Sequence, residues 1–209
     1  MKIVIFDMDG TLIDSQKDIT ISVNYVRDVH YNLPALSEKY IVDVINMEVR
    51  NLPKLFYNTE VYEEGARDIF EAHYFEQCIQ NPYLYDGVKE TLEKLTASGV
   101  KTSVATNAPT KFAQRMLSHL GVAEMFDVII GADKVKRSKP DPQMLNEILN
   151  YYGFDKQNHK AWMVGDNSKD MLSASGAGID SIFATWGFTP YAKHHRVISK
   201  PKEILDIIL

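Results

Sequence analysis

Short apolar runs, rich in β-branched residues, alternate along the chain with stretches whose apolar residues recur every three or four positions. Runs that are apolar throughout are typical of strands buried on both faces, and the longer period is typical of amphipathic helices. The alternation predicts an α/β fold, a Rossmann-like parallel sheet core with helices on both faces. The predicted strands are Ile3–Phe6, Val100–Thr106, Asp127–Ile130, Ala161–Val164 and Ser181–Ala184.

One connection is too long for this alternation of strands and helices. The first predicted strand ends near Phe6 and the next begins near Val100, whereas a strand–helix–strand crossover takes roughly 30 residues. The connection is therefore roughly 60 residues longer than a normal crossover. These extra residues include apolar side chains at helical spacing, which a flexible linker would lack. We therefore predict a small α-helical domain over 15–80, inserted into an α/β core formed by 1–14 and 81–209.

Composition and charge narrow the class of protein. The 209 residues are 45% hydrophobic and 24% charged, as in ordinary globular proteins, and the net charge of -5 argues against a broad nucleic-acid surface. No apolar run approaches the ~18 residues of a membrane helix, and the N-terminal run is too short for a signal peptide. The single cysteine, Cys78, favours a reducing compartment. We predict a cytoplasmic monomer or homodimer that binds neither nucleic acid nor membrane.

Two carboxylates follow the first strand, where parallel α/β sheets bind ligands. Asp7 and Asp9 stand two residues apart. Like charges ~4 Å apart repel by about 4 kcal/mol at an effective dielectric of ~20, so such a pair shares a proton or holds a cation. An ordinary turn of Asp and Gly is the alternative. A calcium-binding EF-hand loop is excluded, because Gly10 stands at the fourth loop position instead of the sixth.

Polar residues follow other strands as well. Thr106 and Asn107 offer a hydroxyl and an amide suited to an anion, Lys139 offers a point charge before a helix, and Asp166 and Asp170 are four residues apart. Oxygen ligands favour a hard cation, above all Mg²⁺, and a cation with a lysine and a hydroxyl indicates a phosphoryl group. The sequence has no zinc-ligand spacing, P-loop or Gly-x-Ser-x-Gly motif.

These motifs together resemble the haloacid dehalogenase superfamily of phosphatases. Four of them occur in the family's order over essentially the whole chain, and the insertion falls where that family places a helical cap domain. Within the superfamily the sequence is most similar to the phosphoglycolate phosphatase group. The matching segments are Asp7-Met8-Asp9-Gly10-Thr11, Asp14-Ser15, Tyr85-Asp86-Gly87-Val88, Thr106-Asn107, Leu120-Gly121-Val122 with Phe126, Lys139-Pro140, Gly165–Asp170 and Trp186-Gly187-Phe188.

The resemblance implies a role for each motif residue. Asp7 is implied as the nucleophile that forms an aspartyl-phosphate, and Asp9 as the general acid and then the base that activates water. Lys139 is implied to balance charge. Mg²⁺ is implied between Asp7, the carbonyl of Asp9 and Asp166, with Asp170 direct or through water. The implied reaction is Mg²⁺-dependent hydrolysis of a small phosphorylated metabolite.

The phosphate and the rest of the substrate have separate implied contacts. Thr106 and the backbone of Asn107 are implied to hold the phosphoryl oxygens. The phosphoglycolate group has a Gly-x-Gly in the cap, where this sequence has Asn46-Met47-Glu48, and this departure leaves the physiological substrate open. Arg50, two residues further on, is a candidate cap contact to substrate. Phosphoglycolate, a sugar phosphate and a nucleoside monophosphate are the candidate substrates.

Two other functions are compatible with the same motifs. A sugar phosphomutase of the superfamily would return the phosphoryl group to a sugar instead of releasing it. A non-catalytic phospho-acceptor or interaction protein would keep the acidic cluster without turnover.

Overall fold

The computed structural model describes residues 1–47, 49–189, 194 and 196–209. Strands and helices follow one another in the order that the apolar pattern predicts. In chain order they are β1 (Lys2–Phe6), β2 (Ile13–Asp14), α1 (Gln16–Val29), α2 (Glu38–Asn46), α3 (Leu52–Tyr57), α4 (Ala66–Gln77), β3 (Tyr83–Leu84), α5 (Val88–Ala97), β4 (Lys101–Ala105), α6 (Thr110–His119), β5 (Val128–Ile130), α7 (Gln143–Tyr151), β6 (Lys160–Gly165), α8 (Ser168–Ala177), β7 (Asp180–Ala184), β8 (Val197–Ile198) and α9 (Glu203–Ile208).

The main sheet of the described residues has six parallel strands in the order β5-β4-β1-β6-β7-β8. From β1 the chain passes to β4 and β5 on one side, and then crosses to β6 on the other. Strand order therefore reverses at β1, and ligands of such sheets bind where this reversal occurs. The register pairs Phe6 with Val104 and with Val164, so the residues that follow β1, β4 and β6 lie at one edge. A second sheet consists of β2 and β3.

Both faces of the sheet are covered by apolar helical surface. Ile3 and Ile5 pack on one face with the buried residues of α7, among them Met144 and Ile148. On the other face, the ring of Phe6 lies edge-on to Phe126, with ring centroids 6.3 Å apart. Because successive residues of a strand point to opposite faces and both faces are covered, β1 is buried from Ile3 to Phe6 and fixes the position of the acid that follows it.

The chain divides into two compact units, Met1–Asp14 with Leu84–Leu209, and Ser15–Tyr83. The second unit contains α1 to α4 and has a core of its own, made of Val23, Val26, Ile41, Val44, Phe56, Tyr57 and Ala66. Asp18, fully buried, accepts hydrogen bonds from the side chain of Gln77 at 2.7 Å and from the backbone N–H of Asn81 at 3.0 Å. These bonds join the first turn of α1 to the segment that follows α4.

The predicted α/β fold with a parallel sheet is confirmed, and each predicted strand lies within one or two residues of an observed one. The helical unit ends at Tyr83, whereas the predicted domain ends at residue 80. The two-residue strands β2, β3 and β8 were not predicted, because so short a segment has no measurable periodicity. Among the described residues, no helix combines the length and apolar character of a membrane span.

Candidate active site

Three carboxylates that are distant in sequence meet at the edge where the sheet order reverses. Asp7 directly follows β1 and Asp166 directly follows β6, while Asp170 lies in the first turn of α8. One carboxylate oxygen of each lies within 4.8 Å of the other two. Asp166 and Asp170 are each 1% exposed, so the group combines three acids in little water.

Lys139 is the cation that the described structure places inside this group. Its Nζ donates to Oδ1 of Asp7 at 2.8 Å and to Oδ1 of Asp170 at 2.6 Å. Burial by itself lowers the pKa of Lys139, but the charges of Asp170 and Asp7 outweigh burial and hold that pKa above its ordinary value. The lysine therefore stays charged and neutralises part of the acidic group.

Asp170 is held at the start of α8 by a reciprocal capping arrangement. Its Oδ2 accepts from the backbone N–H of Asn167 at 3.1 Å, and the side chain of Asn167 caps the helix in return. The helix N-terminus favours the ionised carboxylate. Burial and the charge of Asp7 nevertheless raise the pKa of Asp170 to about 6, against the opposing effect of Lys139.

Asp166 is fixed through both of its carboxylate oxygens. Oδ1 accepts from the hydroxyl of Thr11 at 3.0 Å, and Oδ2 accepts from the backbone N–H of Phe188 at 2.8 Å. Burial, followed by the charges of Asp7 and Asp170, raises the pKa of Asp166 to about 8. Without a further cation, the site therefore favours a proton on this carboxyl near neutral pH.

The donor set fits a hard divalent cation. Three carboxylates against one lysine leave two uncompensated negative charges when all are ionised, and the raised pKa values show the cost of that charge. Buried acids of this kind are relieved by a proton or by a cation. The structure thus contains a buried acidic group that could hold a metal ion, formed by Asp7, Asp166 and Asp170. Asp9 lies in the turn after β1, where it forms an isolated bridge with Ile13.

The segment after β4 combines the two predicted phosphate contacts with Lys139. The hydroxyl of Thr106, 1% exposed, accepts from the backbone N–H of Ala108 at 3.1 Å. The side chain of Asn107 donates to the carbonyl of Lys139 at 2.9 Å and accepts from its N–H at 3.0 Å. The side-chain amide of Asn107 therefore fixes the loop that carries Lys139. This role differs from the anion contact that its residue type suggests. The predicted contact between the Asn107 backbone and the phosphoryl oxygens stays a prediction.

The predicted contact in the helical unit lies in the loop between α2 and α3. The guanidinium of Arg50 donates to the carbonyl of Ile45 and, at 3.3 Å, to the carbonyl of Met47. Burial lowers the pKa of Arg50. Asn46 is the last residue of α2, and Glu48 lies outside the described residues.

Thr11, Asn167 and Phe188 contribute to the site although none of them is a predicted site residue. Asn167 and Phe188 bond to Asp170 and Asp166 through backbone N–H groups, which carry no side-chain signature in a sequence. Thr11 reaches an acid 155 positions away, a pairing that only the fold creates. All three residues lie in motifs that follow strands, and this position is the sequence signal that could have identified them.

Comparison with known proteins places this geometry in a family. The family model of haloacid dehalogenase-like hydrolases matches residues 4–184. A phosphoglycolate phosphatase from Vibrio cholerae is 34% identical over 198 residues, 90% of this chain and 86% of the relative. An N-acetylmuramic acid 6-phosphate phosphatase from Pseudomonas aeruginosa is 29% identical over 217 residues, 100% of this chain and 95% of the relative.

Solved structures that are similar to this chain indicate the same family as the sequence relatives. The crystal structure of a predicted phosphoglycolate phosphatase from Haemophilus somnus has a TM-score of 0.85 at 27% identity and covers 99% of this chain and 97% of its own. A haloacid dehalogenase-like family hydrolase from Streptococcus pneumoniae has a TM-score of 0.82 at 25% identity and covers 99% and 98%. The predicted family and the predicted enzyme class, a phosphoric monoester hydrolase of the phosphoglycolate phosphatase-like type, are confirmed. The chain belongs to the haloacid dehalogenase-like hydrolases.

Proposed function

We propose that this protein is a Mg²⁺-dependent phosphatase of a small phosphorylated metabolite that works through an aspartyl-phosphate on Asp7. The observation that carries the proposal is the position of Lys139, which is buried between Asp7 and Asp170 at 2.8 and 2.6 Å. A cation that pairs with Oδ1 of Asp7 lies where it balances the negative charge of the proposed nucleophile. Because Lys139 engages Oδ1, Oδ2 of Asp7 is the proposed attacking atom.

The chemistry divides between the two acids after β1. Oδ2 of Asp7 forms a bond to phosphorus while the bond from phosphorus to the ester oxygen breaks, and Asp9 gives its proton to that oxygen. Asp9, now ionised, takes a proton from water as the water oxygen bonds to phosphorus and Asp7 leaves. Thr106 and the backbone of Asn107 hold the phosphoryl oxygens in place through both steps.

Asp7, Asp166 and the carbonyl of Asp9 are the proposed ligands of Mg²⁺, with Asp170 direct or through water. The bound ion supplies positive charge that stabilises the phosphoryl oxygens as charge develops on them. The protein's own part is to hold the ligands fixed, which the hydrogen bonds to Asp166 and Asp170 support.

For the substrate, we propose a phosphate monoester that also carries a carboxylate, of the phosphoglycolate type. The named substrates of both kinds of curated relative are phosphorylated acids, which supports this choice. Arg50 is the proposed contact to the substrate's carboxylate. A cytoplasmic location, and a monomer or homodimer as the oligomeric state, stay predictions.

The test is phosphate release from an aryl phosphate and from a panel that includes phosphoglycolate and N-acetylmuramic acid 6-phosphate, each with Mg²⁺ and with chelator. Native protein is expected to release phosphate only with Mg²⁺, and Asp7→Asn is expected to release none. Asp206→Asn, an exposed acid of α9, is the matched control and should act as native. Transfer to a second position of a sugar phosphate without free phosphate would indicate the mutase, and a stable adduct without turnover would indicate the phospho-acceptor.

A further inference from the structure

The segment after β7 returns to the edge of the sheet that carries the acids. It comprises Trp186, Gly187 and Phe188, called here the 186–188 segment. Its sequence has neither an acid nor a phosphate-binding hydroxyl, so no catalytic chemistry is assigned to it. One of its N–H groups nevertheless bonds to Asp166 and another bonds to the carbonyl of Thr11, and its central glycine lies against the backbone of the first motif.

The first contact is direct. The backbone N–H of Phe188 donates to Oδ2 of Asp166 at 2.8 Å. The other oxygen of this carboxylate accepts from the hydroxyl of Thr11 at 3.0 Å. Because the two oxygens have different donors on different segments, the carboxylate cannot rotate without losing a bond.

The second contact is indirect. The indole N–H of Trp186 donates to the carbonyl of Thr11 at 3.0 Å. Trp186 thereby fixes the residue whose hydroxyl holds Oδ1 of Asp166. One segment therefore controls both donors to the same carboxylate, one through its backbone and one through Thr11.

The glycine makes this close approach possible. A Cβ on Gly187 would lie 2.0 Å from the carbonyl oxygen of Gly10 and 2.6 Å from Cβ and Cγ of Asp166. These separations are far below van der Waals contact, and two of the three atoms belong to the backbone or to the buried stem of Asp166. An alanine at this position must push the segment, Gly10 or Asp166 aside.

We infer that the 186–188 segment is a positioning element that sets the orientation of the Asp166 carboxylate for cation binding. The inference rests on the proposed function, in which Asp166 is a ligand of Mg²⁺. Hydrogen bonds to a metal-ligating carboxylate typically change metal affinity by about 10–100-fold when they are lost. The segment therefore acts on the metal through Asp166.

The chain offers a matched pair of variants for the test. Trp186→Phe keeps the aromatic ring and removes the indole N–H that bonds to Thr11. Trp162→Phe makes the same change in β6, where the indole N–H of Trp162 is buried without a hydrogen-bond partner among the described residues. Gly187→Ala is the stronger perturbation.

The measurements are the Kd of Mg²⁺ by titration calorimetry, and the thermal midpoint in chelator. We expect Gly187→Ala to raise Kd about 10–100-fold. Trp186→Phe should raise it by up to about tenfold, the value of one neutral hydrogen bond. Trp162→Phe should bind as native does. Phosphate release at saturating Mg²⁺ should recover in Trp186→Phe, since its catalytic residues are intact.

The outcomes separate this inference from the function beneath it. If native protein binds no Mg²⁺ and releases no phosphate, the proposed function is wrong and the inference with it. If native protein binds Mg²⁺ and Trp186→Phe binds it equally well, the inference alone is overturned. A fall in the thermal midpoint of Trp186→Phe with an unchanged Kd also overturns it, because the segment would then only stabilise the fold.

Discussion

Removal of the buried positive charge of Lys139 tests how the acidic site is stabilised. Lys139→Met replaces the lysine by an apolar side chain of similar length and removes both charged hydrogen bonds, at 2.8 Å to Asp7 and 2.6 Å to Asp170. At an effective dielectric of ~20, each pair represents about 6 kcal/mol of gross attraction. Most of that attraction is offset by the desolvation of the charges. Breaking a buried pair from one side leaves an uncompensated charge and costs about 3–5 kcal/mol.

The assay is urea denaturation at pH 9 in chelator, because Asp166, whose pKa is raised to about 8, is mostly ionised there and proton uptake relieves little of the repulsion. We expect Lys139→Met to lose about 3–5 kcal/mol of unfolding free energy. Lys136→Met, an exposed lysine of the same loop, should stay within about 0.5 kcal/mol of native. Mg²⁺ should restore part of the loss, because a bound cation replaces the missing positive charge.

A double variant isolates the interaction from the loss of side-chain packing. Lys139→Met with Asp170→Asn removes one acid together with the lysine, so the pair should be less destabilised than the sum of the single variants. A loss below about 1 kcal/mol for Lys139→Met in chelator would refute the reasoning. The lysine would then not be compensating ionised carboxylates.

Three further predictions address other parts of the molecule. Gly10→Ala places a Cβ 2.4 Å from Oδ2 of Asp166 at a φ of +84°. It should lower the free energy of unfolding in urea by at least about 1–2 kcal/mol, and a variant as stable as native protein would show that this strain is absent. Burial lowers the pKa of His73, whose ring bonds to Ser22 at 2.9 Å. The unfolded chain therefore binds the proton more readily, and stability falls as the pH drops below about 6.5. His73→Gln should show a weaker fall between pH 7 and 5 than native protein in paired denaturation curves, and parallel curves would count against this. Arg50→Ala should raise KM for a carboxylate-bearing substrate with kcat nearly unchanged, and steady-state kinetics with equal KM would remove Arg50 from the substrate site.

The fold could be predicted largely because its strands are buried on both faces. Such strands appear in sequence as continuous apolar runs, and each run here corresponds to a strand of the sheet. β8, by contrast, has only Val197 and Ile198, and its pairing with β7 depends on the tertiary structure. The end of the helical unit at Tyr83 likewise depends on packing, which no local signal in the sequence records.

Asp7 and Asp166 could be predicted because they directly follow strands whose ends share one edge, and Asp170 because it stands four residues after Asp166 in the same motif. The partners that orient them could not be predicted in the same way. Phe188 holds Asp166 through a backbone N–H, which every residue except proline possesses. The side chain of Asn107 bonds to the backbone of Lys139, a positioning role that the sequence does not indicate. Sequence reasoning thus identifies the groups that carry charge more readily than the groups that position them.

The most direct test of the central claim is rapid acid quench of the enzyme during turnover of a labelled aryl phosphate with Mg²⁺. Native protein should show a protein-bound phosphoryl group that peptide mapping places on Asp7, and Asp7→Asn should show none. In Asp9→Asn the adduct should accumulate, because an aryl leaving group needs little protonation whereas water still needs a base. Phosphate release by native enzyme without any adduct, or an adduct that persists in Asp7→Asn, would contradict the account.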